Sequence, residues 1–188
     1  MIGVFVLREE NIIQNILFAI LCICFTFYIF LGIYSYKKDT KSNVNVKFSI
    51  TCIFASFWAF GYAFMLISPN IEIAGIFRIV SALGWCFFSG IGISFILSLN
   101  DTNLKNTNSK ITLLLYTVPI IFFINNMFFA PSKIISTQAY GFVDNIYFTT
   151  TIGTVFCIYI SVIYIAGLVR LYFLMKNSKK NRFRKQIK

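Results

Sequence analysis

Few side chains in this chain are placed to do chemistry. Polar residues set within or at the ends of apolar runs are Gln14, Asn15, Arg78, Asn125, Asn126 and Thr149–Thr151, with Glu72 and Asp144 close by. A guanidinium carries five donors in a planar fork, and amide and carboxylate oxygens are the acceptors that suit it. Brought together, such groups would hold a polar ligand by hydrogen bonding. They would not cleave one. The acidic residues are Glu9, Glu10, Asp39, Glu72, Asp101 and Asp144, none deep in an apolar run, and the sequence has 0 histidines. A cysteine nucleophile would therefore lack its usual base, and the usual proton relays and carboxylate dyads are missing. Cys22, Cys24, Cys52, Cys86 and Cys157 all lie in apolar runs without a CxxC motif. Cys22 and Cys24 would stand about 200° apart around a helix, so they cannot chelate together. They read as small core residues. No phosphate-binding or dinucleotide fingerprint occurs. The reading is a non-enzyme with no catalytic residue, no metal and no cofactor.

The elements that position these groups follow from composition. The 188 residues are 58% hydrophobic and 12% charged, with a mean hydropathy of +0.78. A soluble domain is about half apolar and about a quarter charged. This chain has too little polar surface to coat itself in water, and its solvent is a lipid bilayer. The net charge of +11 then reflects basic cytoplasmic segments and not nucleic-acid binding. Met1–Glu10 holds one Arg against two Glu, unlike the basic start of a cleavable signal, so the first apolar run reads as a retained helix.

The expected fold is all-α: a polytopic membrane bundle with five spans at about 12–36, 48–68, 71–99, 111–129 and 148–175. A transmembrane domain would thus cover 1–175, with a basic tail at 176–188 and a mixed loop at 130–147. Ser68-Pro69-Asn70 marks a turn. Fourteen of the 17 basic residues fall in the first loop, the third loop, the end of the last span and the tail; Arg8, Arg78 and Lys133 fall on the other side. That asymmetry predicts the N-terminus outside and the C-terminus inside.

Ala82, Cys86, Gly90, Ser94 and Ser98 recur every fourth residue on the third span, a face that lets another helix approach closely. This seam makes the third helix the expected centre of the bundle. With the predicted orientation, the polar residues above share one depth, towards the outer leaflet. Two arrangements satisfy them. They meet headgroups, with Arg78 snorkelling, or Arg78, Asn125, Asn126 and Asp144 line an outward-opening pocket. Trp58, Tyr62 and Trp85 would then form its floor, or serve as aromatic core.

The order of features also resembles a known family. Gly32-Ile33-Tyr34, a basic loop, then Phe57-Trp58-Ala59-Phe60-Gly61-Tyr62-Ala63 is similar to the second helix of the seven-helix N-terminal sensor region of bacterial histidine kinases, also found ahead of diguanylate cyclases. Ile76-Phe77-Arg78, Gly84, Pro119, Asn125-Asn126, Tyr140-Gly141 and the basic 181–188 continue the match. The resemblance implies a signal-input module in the bacterial cell membrane. It further implies an extracellular or outer-leaflet ligand, a cytoplasmic kinase or cyclase as output, and a homodimer. Five expected helices fall short of seven, and a chain without histidine cannot be the phosphorylated transmitter. Two other classes stay open: a small transporter or permease-like subunit, and an accessory protein acting by helix contacts.

Overall fold

Short polar turns set the helix boundaries. Asp39 Oδ1 accepts from the backbone N–H of Lys41 at 2.9 Å and of Ser42 at 3.2 Å, and Ser42 caps the following helix by accepting from Asn45 N–H at 3.4 Å. Asn70 does the same for the next helix, accepting from Ile73 N–H at 2.9 Å. Small polar side chains favour this position because they satisfy an otherwise orphaned N–H.

The computed structural model describes residues 10–99, 109–128, 133–137, 141–145 and 151–186. They form α1 (Glu10–Lys38), α2 (Asn43–Leu66), α3 (Ile71–Ser98), α4 (Ser109–Phe128), β1 (Lys133–Thr137), β2 (Gly141–Asn145) and α5 (Thr151–Gln186). By length and composition α1, α2, α3 and α5 are fit to cross a membrane, whereas the apolar stretch of α4, Leu113–Phe128, is shorter.

The expected all-helical bundle is present as five helices, and the segment expected as a loop at 130–147 carries a short antiparallel hairpin, in which Ile134 pairs with Asp144 and Thr137 with Gly141. α5 runs 36 residues to Gln186, so most of the basic 176–188 segment continues that helix, Lys, Arg and Gln being good helix formers. α2 begins at Asn43, ahead of the apolar span expected from 48, since the Ser42 cap draws Lys47 into the helix.

α3 is the hub, touching α2, α4, α5 and both strands, while α1 lies along α2. All five seam residues, Ala82, Cys86, Gly90, Ser94 and Ser98, are buried. A Cβ added to Gly90 would run into the Leu115 carbonyl of α4, with Pro119 Cγ at 3.4 Å. The α2–α3 crossing is closer still. Gly61 faces the Ser81 backbone, and Gly84 faces the Trp58 backbone, without room for a Cβ at either. Two large surfaces remain uncovered by protein. Ile23, Phe30 and Ile33 on α1, and Ile158, Ile165 and Leu168 on α5, are more than half exposed. Apolar faces of this size fit a lipid solvent.

Candidate functional site

Arg78 lies seven residues past the start of α3, about 10 Å along the helix. An unpartnered guanidinium there would cost several kcal/mol, on the order of the cost at a span centre. It turns inward. Nη1 donates to Asn126 Oδ1 at 2.7 Å, and Nη2 donates to the Asn126 carbonyl at 3.2 Å. Asp144 Oδ2 of the hairpin stands 4.0 Å from Nη1, with the two side chains only 13% and 3% exposed. One cation thus joins α3, the end of α4 and β2.

The hairpin is fastened at a second point. Gln14 of α1 donates its amide to the Leu66 carbonyl at 2.6 Å, satisfying an acceptor that the end of α2 leaves open. Gly141 packs against that same carbonyl with φ +73°, where a side chain would find neither space nor a relaxed backbone.

The residues grouped from the sequence therefore divide. Arg78, Asn126 and Asp144 come together as a closed latch. The void beside Arg78 and Asn126 has no room for water. Asn125, 100° around the helix from Asn126, is half-buried outside the bonds described for Arg78. Glu72 is exposed, as is Thr151; Thr149 and Thr150 lie outside the described residues.

Trp58, Tyr62 and Trp85 surround a separate, apolar cavity of about 260 Å³, completed by Phe122, Phe156 and Tyr164 from α4 and α5. Phe122 stacks on Phe156 at 3.8 Å, and Trp85 meets Phe156 edge-on at 5.2 Å. The Ser89 hydroxyl is buried in the cavity wall with no hydrogen-bond partner among the described residues. The sequence did not reveal Phe122, Phe156 or Ser89 as wall residues. Nothing in their spacing sets them apart from other apolar positions.

No grouping of metal-ligating side chains occurs among the described residues. An aromatic cavity with a buried hydroxyl in its wall can bind a small apolar molecule and fix its orientation. The model of one protein family, the N-terminal 7TM region of histidine kinase, matches residues 20–188. The chain belongs to this family. Both the latch and the cavity lie within the matched part of the 7TM region. No curated protein and no solved structure gives a significant match. The 7TM region is a histidine kinase's membrane portion, and four helices among the described residues are long and apolar enough to cross a membrane, so the chain is a membrane protein.

Proposed function

We propose that this chain is the signal-input module of a membrane sensor. It sits in a bacterial cell membrane with five spans, N-terminus out and C-terminus in. Its ligand, taken from outside or from the outer leaflet, occupies the aromatic cavity beneath the hairpin. The output is a cytoplasmic kinase or cyclase, and the working unit is a homodimer.

One observation carries the reading: an aromatic cavity of about 260 Å³ whose Trp85 lies two helical turns from Arg78 on α3 and whose Phe122 lies one turn from Asn126 on α4, the residues of a buried ionic latch. A ligand changes signalling only by binding one arrangement better than another. The cavity wall draws on α2, α3, α4 and α5. A molecule seated there bears on the relative placement of all four.

The chain has two tryptophans, Trp58 and Trp85, and both line the cavity, so intrinsic fluorescence reports on it directly. Titration of the nanodisc-embedded protein with a panel of small aromatic amphiphiles should give a saturable emission change for at least one member. Cys157→Phe, which fills the cavity from α5, should abolish that change. No saturable change across the panel, or an undiminished one in Cys157→Phe, overturns the assignment.

A further inference from the structure

We infer that a second hollow, between α2, α3 and α5, holds one acyl chain of an anionic phospholipid, with the headgroup phosphate at Lys47. This groove has a volume of about 280 Å³, and its walls include Phe48, Thr51, Gly92, Ile96 and Leu168. The exposed lining is almost wholly hydrocarbon, which suits an alkyl chain better than a polar solute. A helix about 10 Å across would need several times that volume over the same length. An alkyl chain needs no more width than the groove gives. Access runs from the lipid side, where Tyr164 is 45% and Leu168 66% exposed.

The charge at one end selects the occupant. Thr51 donates its hydroxyl to the Lys47 carbonyl at 2.9 Å, one turn away, so both residues lie on the groove side of α2. The Lys47 ammonium is drawn across to α3, donating to the Ser94 carbonyl at 3.2 Å. That bond ties α2 to α3 at residues next in sequence to Phe48 and Phe95, which both belong to the groove wall. An ammonium has three donors, and a phosphodiester oxygen is a natural acceptor for those the carbonyl does not take.

The length also fits. At its far end the groove meets the aromatic cavity at Phe88, Ser89 and Tyr164. From Ser94 to Trp85 is nine residues of α3, about 14 Å at helical rise. One leaflet's hydrocarbon is about 15 Å deep. A chain entering at Lys47 therefore ends near the tryptophans. A basic residue near an anionic membrane surface favours acidic lipid by about fivefold.

Fluorescence quenching in vesicles tests this, using phosphatidylcholine with either phosphatidylglycerol or phosphatidylcholine brominated on the acyl chain, at matched mole fractions. Bromine in the groove lies near both tryptophans, Trp58 being 6.2 Å from Phe88 of the shared wall. Half-quenching should need about fivefold less brominated phosphatidylglycerol than brominated phosphatidylcholine. Lys47→Gln should bring the two lipids to parity, and Lys47→Arg should keep the difference. Gly92→Phe should reduce quenching by both, since a Cβ there meets only Thr51 Cγ2 at 4.0 Å and a ring can enter the groove. Parity in the wild type, or a preference surviving Lys47→Gln, overturns the proposal. So does quenching that falls as protein concentration rises, which assigns the groove to a second copy. None of these readings depends on a soluble ligand being found for the aromatic cavity.

Discussion

Asp144 and Arg78 face each other across 4.0 Å, 66 positions apart in the chain, where the hairpin comes down on α3. A cross-link of opposite charges this well shielded is worth far more intact than broken. Removing one partner of a buried pair costs about 3–5 kcal/mol, whereas replacing both with apolar groups can be neutral. Arg78→Leu should therefore lower the denaturation midpoint in nanodiscs sharply. Arg78→Leu with Asp144→Leu should recover most of the loss. If the single and double variants unfold alike, the latch is not an energetic unit.

Close helix approach gives the second prediction. Gly90→Leu drives a side chain into the α4 backbone at Leu115, and overpacking of this kind costs about 1–3 kcal/mol. Gly92→Ala, two residues on, meets only Thr51 Cγ2 at 4.0 Å and should be neutral or stabilising by about 0.5–1 kcal/mol, as expected for replacing glycine within a helix. Thermal unfolding of both variants in one lipid system checks the contrast.

Gly141 sets the hairpin's seat. With φ +73° and the Leu66 carbonyl against it, Gly141→Ala brings both strain and a clash. Strained backbone of this sort costs about 1–3 kcal/mol. Hydrogen exchange across β1 and β2 should accelerate in this variant while the α2–α3 core stays protected. Uniform acceleration through all helices would show that the hairpin does not open separately.

Topology is the fourth prediction. A C-terminal reporter should be active only in the cytoplasm, and Ser136→Cys on β1 should react with an impermeant thiol reagent added outside intact cells. The reverse pattern would put the latch and cavity at the cytoplasmic face and remove the outside ligand from the proposed function.

Much of this architecture can be read from residue types. Ser68-Pro69-Asn70 marks the turn before α3, and the five seam residues lie buried where fourfold spacing put them. Arg78 had to find protein partners or snorkel, and it found partners. Which partner it chose was not readable. Asn125 and Asn126 differ only by 100° of helix phase, and that phase depends on how α4 rotates against α3. The hairpin escaped because five-residue strands in a mixed segment carry weak periodicity, and their pairing depends on docking to Leu66 and Gln14. The glycines of the α2–α3 crossing, Gly61 and Gly84, lie off the α3 seam because backbone-to-backbone approach needs only one missing Cβ on each helix. The aromatic cavity was half visible: Trp58, Tyr62 and Trp85 belong to it, but not to the polar cluster grouped with them.

α5 is 36 residues without a break, about 54 Å of rod, against about 30 Å of hydrocarbon to cross. Its stretch fit to cross a membrane is Gly153–Phe173, and the helix continues 13 residues beyond it. Such a rod is a lever without a joint. A 5° tilt about its upper end would sweep the lower end sideways by about 5 Å, close to the rise of one helical turn. A tilt of a few degrees near the aromatic cavity would thus reach Gln186 as a lateral shift of several ångströms.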